Sequence, residues 1–202
     1  MIVLDIETSG LDNVKCGIWQ IGAIDLGTNE EFLEEARIDD EDFILDSRVA
    51  KPVLEVIGKK EKDLRNNTKQ SQKQLLINFF NWCKDKKLKN CLCQNPQFDL
   101  GFIWVKARKY GLEIPLHHRA YDLHSIASLK YFQLNNEFLI KKDYSDMGLK
   151  NILNFCGIQD NRGAHNALED CKLTAECFLR ILYGKNIFLE YSKFPIPEYL
   201  GK

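Results

Sequence analysis

Two acidic residues separated by one position follow an apolar run at the start of the chain. Asp5 and Glu7 come directly after the run at 2–4, a pattern typical of a central β-strand. Residues i and i+2 of a strand point to the same side, so the two carboxylates would be neighbours. Neighbouring carboxylates repel and raise a pKa unless a cation is present, and hard divalent cations prefer oxygen ligands. The pair therefore indicates a metal site, although Asp-x-Glu alone is weak evidence.

Two further acids begin predicted helices. Asp99 ends the segment 95–99, just after a predicted strand and at the start of a predicted helix. Asp170 lies in another predicted helix, five residues after His165. Judged singly, Asp99 is explained by the helix macrodipole, Asp170 as an exposed helix acid and His165 by a place near an N-cap. Only the joint pattern of the acids and the histidine indicates a catalytic site.

The segments that carry these residues predict a mixed α/β chain, with strands first and then strands alternating with helices. The predicted strands cover residues 2–5, 17–26, 30–38, 91–94 and 120–123. The predicted helices cover residues 71–83, 98–110, 149–156 and 166–182, with another that ends at 129. The first three strands should form an antiparallel meander, and residues 46–69 should contain short helices.

Charge is unevenly distributed along the 202 residues. The 28 basic and 29 acidic residues nearly cancel, which excludes nucleic-acid binding by bulk positive charge alone. Residues 25–46 hold ten acids and one base, which leaves a net charge of +8 on the rest. Basic residues gather at 59–60, 84–89, 106–109 and 141–142. Two interpretations stay open: solvated faces, or an acidic side and a basic side that steers a phosphate backbone.

The seven cysteines form no Cys-x-x-Cys pair, which is typical of reduced, mostly buried thiols in a cytosolic protein. His117, His118 and His124 lie near Asp122 but fit no zinc pattern. No stretch is long and apolar enough for a membrane helix, and the N-terminus does not resemble a signal peptide. We therefore expect a cytoplasmic protein with no membrane association.

Three segments contain the candidate catalytic residues and follow one another along the chain: Asp-Ile-Glu at 5–7, Asn-Pro-Gln-Phe-Asp at 95–99 and His-Asn-Ala-Leu-Glu-Asp at 165–170. Together they resemble the three exonuclease motifs of the DnaQ-like family, the DEDDh group of 3′–5′ exonucleases. Residues 8–11, 21–23 and 148–153 resemble the family as well. The resemblance covers residues 1–183 and implies a ribonuclease H-like α/β fold. Its five-stranded mixed sheet has the first three strands antiparallel and is flanked by helices.

The resemblance also implies two Mg²⁺ ions, for which Mn²⁺ could substitute, held by Asp5, Glu7, Asp99 and Asp170. Four carboxylates in one cleft carry about −4 charge, which two divalent cations would neutralise. Such a pair stabilises the attacking and leaving oxygens of a phosphoryl displacement. His165, with an ordinary pKa near ~6.5, would take the proton of the attacking water. The expected catalytic residues are therefore these four acids and His165.

Substrate contacts follow from the same resemblance. Thr8 would hold the terminal nucleotide through its backbone, and Leu11 would lie as an apolar wedge under the base. Phe98 belongs to the second motif and is expected to pack beneath the site rather than stack on a base. Gln20 is expected to be structural, and Asp122 to open a helix without binding metal.

The motifs do not separate DNA from RNA, although residues 5–11 resemble the DNA-trimming relatives more closely. We expect a metal-dependent 3′–5′ exonuclease acting on single-stranded or frayed 3′ ends, with DNA favoured. The alternatives are an RNA 3′-end trimming enzyme, or an interaction subunit that retains the fold. A protein partner that tethers the enzyme and a homodimer both stay open. The aromatic tail at 184–202 is expected to pack on the domain or on a partner. The segment 72–80 faintly resembles a peptide that binds a sliding clamp, but its pattern fits a core helix better.

Overall fold

A computed structural model describes residues 1–42, 54–55, 58–87 and 89–201. Its main sheet has five strands in the order β3-β2-β1-β4-β5. The strands are β1 (Ile2–Thr8), β2 (Ile18–Asp25), β3 (Glu30–Glu35), β4 (Cys91–Cys93) and β5 (Tyr121–Asp122). The pairs β1–β2 and β2–β3 are antiparallel, whereas β1–β4 and β4–β5 are parallel. The expected ribonuclease H-like α/β fold, with a five-stranded mixed sheet and its first three strands antiparallel, is confirmed.

Helices cover both faces of this sheet. They are α1 (Glu61–Leu64), α2 (Gln72–Lys84), α3 (Pro96–Lys109), α4 (Leu123–Asn135), α5 (Leu149–Phe155) and α6 (Ala167–Tyr183). Alternate residues of β1 face opposite layers: Leu4 belongs to the apolar cluster formed with α2 and α3, and Val3 to the cluster formed with α4, α5 and α6. Because the period of a strand is two, Asp5 and Glu7 continue the Val3 side, where α6 lies.

The predicted elements agree with the structure to within a few residues, with three differences. The helix expected to end at 129 continues to Asn135, and Asn136 ends it in the left-handed conformation. The third strand ends at Glu35 instead of continuing to 38, and Arg37 makes only an isolated bridge to Ser71. A two-stranded hairpin, β6 (Ile140–Lys141) and β7 (Tyr144–Ser145), was not predicted. Its turn residues have positive φ angles of 49° and 65°, a conformation that Asn-Gly or Asp-Gly would signal and Lys-Asp does not.

The acidic stretch and two of the basic groups meet in space. Lys86 pairs with Glu30, and Lys109 lies 2.9 Å from Asp42 and 3.5 Å from Glu41. These bases therefore neutralise the acidic stretch instead of forming a separate basic side. Asp46, the last acid of that stretch, and part of the segment 46–69 lie outside the described residues.

Asp42 is the centre of a buried polar group that we call the Asp42 cluster: Asp42, Gln72, Lys106, Lys109 and Tyr110. The Asp42 carboxylate accepts bonds of 3.0 Å from Lys106, 2.9 Å from Lys109 and 3.0 Å from Gln72. Its side chain is 2% exposed and that of Lys106 is 0% exposed. The cluster also holds the loop after β1, because Lys106 donates to the carbonyl oxygen of Val14 at 3.2 Å.

The segment after α6 packs against that helix. Glu176 and Arg180 form a fully buried ion pair of 2.8 Å. The second carboxylate oxygen of Glu176 accepts bonds from the backbone N–H groups of Ile187 and Phe188. The Arg180 guanidinium donates to the carbonyl oxygens of Tyr191 and Phe194. The tail therefore supplies partners to charges that α6 buries.

All seven cysteines are buried and unpaired, which agrees with the expected reduced thiols. The segment resembling a clamp peptide is the core helix α2, which buries Leu75, Leu76, Phe79 and Phe80. Within the described part of the chain, no helix has the length and apolar character needed to cross a bilayer.

Candidate active site

The first two acids lie where β1 passes between its neighbours. Asp5 is paired with Gly22 of β2, and Glu7 with Gln20. Glu7 is buried and Asp5 is partly exposed, both on the side of the sheet that α6 covers. The predicted neighbouring carboxylates are thus brought to one face of the central strand.

Asp99 reaches the same place from the first turn of α3. The helix begins at Pro96, a residue that suits a first helical position because it lacks an N–H group. Asp99 Oδ1 accepts a 3.2 Å bond from the backbone N–H of Ile6, which lies between the two acids of β1. This bond fixes the helix N-terminus against the strand that carries Asp5 and Glu7.

Asp170 is delivered by the first turn of α6. Asn166 caps the helix by accepting bonds from the N–H groups of Leu168 and Glu169. Gln20 Oε1 accepts a 2.9 Å bond from the N–H of Ala167, so the expected structural role of Gln20 agrees with the structure. The helix start also approaches β2 closely, since a Cβ at Gly22 would lie 2.3 Å from a backbone atom of Ala167.

His165 lies just before α6, with its side chain 38% exposed. Its Nδ1 is 3.3 Å from Asp170 Oδ2 and 3.9 Å from Glu7 Oε1. The hydrogen bond that His165 donates to Asp170 raises the pKa of His165, and the Asp170 and Glu7 charges add to the rise, while burial opposes it. The imidazolium is therefore favoured when these carboxylates are ionised.

One cleft of about 390 Å³ collects all five predicted catalytic residues. Its lining includes Asp5, Glu7, Asp99, His165 and Asp170. Ligand atoms of Glu7, His165 and Asp170 lie within 4.8 Å of one another, and among the described residues this is the one group that could hold a metal ion. Asp5 and Asp99 line the same cleft outside that group.

The cleft is short of positive charge. Burial, and then the charges of Asp99, Asp170 and Glu7, raise the pKa of Asp5 well above its usual range. Burial also raises the pKa of Glu7 to about 7, with Asp170 adding and His165 opposing. Burial raises the pKa of Asp99 to about 7 even though backbone N–H groups stabilise its charged form. The folded chain therefore holds these acids at a cost when no cation is bound.

Arg162 is a residue of the cleft that sequence reasoning missed. Its Nη1 donates to Asp170 Oδ1 at 2.9 Å, while Nε and Nη2 donate to the two oxygens of Asp160 at 2.9 Å each. Its charge lowers the pKa of Asp5 and of Glu7. A lone arginine three residues before His165 carries no signal of such a contact.

The three predicted substrate contacts all line the cleft. Thr8 is buried and donates from Oγ1 to the carbonyl oxygen of Gly10 at 2.6 Å. Leu11 is 70% exposed, and Phe98 packs on Phe102 with a ring distance of 4.9 Å. Ile6, Gln94, Asn95 and Leu149 also line the cleft and had no role assigned from the sequence.

The other histidines lie elsewhere. His117 and His118 are exposed and their rings are 4.2 Å apart, while His124 contacts Ser145. Asp122 caps α4 by accepting bonds from the N–H groups of His124 and Ser125, as expected of a helix-opening residue. In the described part of the chain these residues form no group with metal-binding geometry.

Comparison with known proteins supports a nuclease. A family model of the RNase T type, described as Exonuclease, matches residues 2–178. No curated protein sequence matches the chain.

Solved structures share the fold. Cell-death related nuclease 4 (CRN-4) has a TM-score of 0.64 at 17% identity, over 89% of this chain and 62% of that chain. The nuclease domain of 3′hExo, a DEDDh family member bound to rAMP, has a TM-score of 0.63 at 15% identity, over 89% and 90%. The zinc-bound complex of Escherichia coli ExoI with single-stranded DNA has a TM-score of 0.65 at 17% identity, over 89% of this chain and 40% of that chain. The chain thus spans less than two thirds of CRN-4 and of ExoI.

Proposed function

The chain belongs to this exonuclease family, and on that premise we propose that it is a metal-dependent 3′–5′ exonuclease. It would release nucleoside 5′-monophosphates by hydrolysing the last phosphodiester of a nucleic-acid strand. The substrate we favour is a single-stranded or frayed 3′ end of DNA.

The observation that carries this proposal is the shortage of counter-charge in the cleft. Asp5, Glu7 and Asp99 have raised pKa values because they are buried close to other carboxylates. Such an arrangement opposes folding unless a cationic ligand compensates it. Carboxylate oxygens suit Mg²⁺ and Mn²⁺, so the donor atoms fit the cations that the fold family implies.

Asp5, Glu7, Asp99 and Asp170 would hold two divalent cations, Mg²⁺ or in its place Mn²⁺. When bound, the cations supply Lewis-acid stabilisation to the attacking and leaving oxygens of the scissile phosphate. The backbone bond from Ile6 to Asp99, and the capping bonds at the start of α6, keep the acids in place before substrate arrives. The protein part of catalysis is therefore largely positioning.

His165 would take the proton of the attacking water. Its side chain is partly exposed within the cleft, so water can reach it. Asp170 orients the ring through Nδ1 and stabilises the imidazolium that forms on proton transfer. Leu11 would provide an apolar contact for the terminal base and Thr8 its backbone, while Phe98 would pack beneath the site against Phe102.

Single-stranded DNA is favoured on two grounds. Residues 5–11 resemble the DNA-trimming relatives, and ExoI, which has the same fold, is known in complex with single-stranded DNA. An unpaired 3′ end also reaches such a cleft without the cost of opening a duplex. RNA trimming is the competing assignment, because the 3′hExo nuclease domain binds rAMP.

The decisive experiment follows end-labelled oligonucleotides in Mg²⁺. Single-stranded DNA, duplex DNA and RNA of one sequence should be compared, each labelled at either end. We expect stepwise shortening from the 3′ end, release of 5′-monophosphates, fastest turnover of single-stranded DNA and complete loss in excess EDTA. Full activity in EDTA, or shortening from the 5′ end, would refute the proposal, and faster turnover of RNA would reassign the substrate.

A pair of neighbouring acids provides the control. Asp170→Ala should abolish release of 5′-monophosphates while the protein stays folded. Glu169→Ala removes the adjacent exposed acid, which does not line the cleft, and should leave turnover unchanged. A chain that retains the fold only as an interaction subunit would show no Mg²⁺-dependent turnover in either variant or in the parent.

We also propose the domain organisation, the compartment and a partner of the enzyme. Residues 1–183 would form the exonuclease domain, with 184–202 as a tail that packs on it. The seven buried, unpaired cysteines support a reducing, cytoplasmic compartment. A partner protein that tethers the enzyme to its substrate would compensate for a net charge of −1, which attracts a phosphate backbone little.

A further inference from the structure

Arg162 contacts two carboxylates that differ in their place in the molecule. Asp170 lines the cleft, whereas Asp160 lies outside its lining. The guanidinium donates from Nη1 to Asp170 Oδ1 and forms a two-pronged contact to both oxygens of Asp160, with all three bonds at 2.9 Å. Three hydrogen bonds to two carboxylates fix the position and the plane of the guanidinium.

The brace is built locally and is partly buried. The backbone N–H of Arg162 also donates to Asp160 Oδ1 at 3.2 Å, so one carboxylate fixes both the main chain and the side chain of the arginine. The side chains of Arg162 and Asp160 are 11% and 17% exposed, and that of Asp170 is 5% exposed. A contact so shielded from solvent is stronger than an ordinary surface ion pair.

The two oxygens of Asp170 have different partners. Oδ1 is bound by Arg162, while Oδ2 faces His165 Nδ1 at 3.3 Å, and Asp170 belongs to the group of side chains that could hold a metal. Binding of Oδ1 therefore sets the rotation of the carboxylate and directs Oδ2 towards His165. Partners of this kind behind a metal-binding side chain typically change metal affinity by ~10–100-fold.

We propose that Arg162, braced by Asp160, is a positioning residue that orients the Asp170 carboxylate for cation binding. The inference rests on the proposed function, since it takes Asp170 as a cation ligand. It assigns Arg162 a contribution to the affinity of the cleft for divalent cations that is separate from its positive charge. That charge alone would repel a cation, so the geometric and electrostatic effects have opposite signs.

The test changes the hydrogen-bonding geometry of the side chain at position 162 while keeping its positive charge. Arg162→Lys keeps the positive charge but loses the two-pronged contact, and Asp160→Asn weakens the brace while Arg162 stays. Arg37→Lys is the matched control, because Arg37 also bonds an acid two residues away, Asp39 at 3.2 Å, and does not line the cleft. Mn²⁺ binding to each full-length chain is measured by isothermal titration calorimetry, with thermal unfolding in EDTA as a check of folding.

We expect Arg162→Lys to weaken Mn²⁺ binding by ~10-fold or more and Asp160→Asn by several-fold, with Arg37→Lys equal to the parent. Unchanged or tighter binding in Arg162→Lys, provided the parent binds Mn²⁺, would overturn the positioning role and leave the proposed function standing. A parent chain that binds no Mn²⁺ would overturn the proposed function and this inference together. Should Arg162→Lys not fold, Asp160→Asn decides by the same criterion.

Discussion

Two groups of buried carboxylates in this molecule differ in the source of their counter-charge. In the Asp42 cluster, Lys106 and Lys109 lie 3.0 and 2.9 Å from one carboxylate oxygen. Burial alone would raise the pKa of Asp42, but the bonds from these two lysines lower it below the ordinary value. In the cleft, burial raises the pKa of Asp5 and Glu7; Arg162 offsets only part of the rise at Asp5, and His165 and Arg162 offset only part of it at Glu7.

The source of the counter-charge separates a buried acid with a structural role from one that binds a ligand. Both groups are buried, and burial by itself would raise the pKa of either. A chain that uses an acid to hold a loop brings its own cations, as Lys106 does for Asp42. A chain that leaves several acids uncompensated relies on a ligand from solution to complete the charge balance.

The largest effect is expected from the cleft. Asp5→Asn should lower turnover of single-stranded DNA in Mg²⁺ by about 10⁴-fold, or about 5 kcal/mol of transition-state stabilisation. The same substitution should raise the melting temperature in EDTA, because it removes a buried charge without a partner. Turnover and thermal unfolding of one protein preparation provide both values. Loss of activity together with loss of stability would place Asp5 with the structural acids.

The Asp42 cluster should respond in the opposite manner. Lys106→Met should lower the free energy of unfolding by about 3 kcal/mol, because it removes one of the two cations from a buried carboxylate. Urea unfolding measures this, and the double variant with Asp42→Asn should recover part of the loss. Equal losses in the single and the double variants would show that the charge pairing is not what stabilises the cluster.

His165→Ala separates proton transfer from cation binding. We expect turnover to fall by about 100-fold, or about 2.7 kcal/mol, since the water then lacks its general base. Mn²⁺ affinity measured by calorimetry should change little, because the four carboxylates remain. A large drop in Mn²⁺ affinity would instead make His165 a ligand.

The two groups also give opposite dependences of stability on pH. Glu7 and Asp99 have folded pKa values of about 7, above their ordinary values, so without metal the folded state holds extra protons. Stability in EDTA should therefore fall by several kcal/mol as pH rises from about 4 to about 7, at ~1.4 kcal/mol for each pH unit between a group's ordinary and folded pKa. The pKa of Asp42 is lowered, so its carboxylate stabilises the folded state at pH values above its ordinary pKa. This contribution is lost as pH falls through the pKa that Asp42 has in the folded protein. Urea unfolding across this pH range should show the decline, and Asp99→Asn should reduce it.

Local patterns predicted most of the helices and strands, because short-range apolar periodicity is visible in a single sequence. The acids that the structure gathers in one cleft were identified differently. Each was weak evidence alone, and the resemblance of three ordered segments to the family motifs implied both the site and the fold.

Contacts between distant or irregular segments were not predictable in the same way. The bond from Lys106 to Asp42 joins residues 64 positions apart, and no local pattern marks a lysine that will be buried. Arg162 reaches Asp170 only because of the backbone conformation of the loop before α6. The choice between solvated faces and separate charged sides could not be made from the sequence for the same reason, since Lys86 and Lys109 pair with acids far away in the chain.

The order in which the cleft receives its acids has a consequence for synthesis. β1 is made before α6, and Asp5 and Asp170 lie 165 positions apart in the sequence. At ~5–20 residues per second, a ribosome needs roughly 10–30 s to cover that interval. Throughout it, the growing chain displays the first two carboxylates without the fourth or the histidine. The nascent protein is therefore close to the ribosome and to the messenger RNA being translated while its cleft is still incomplete.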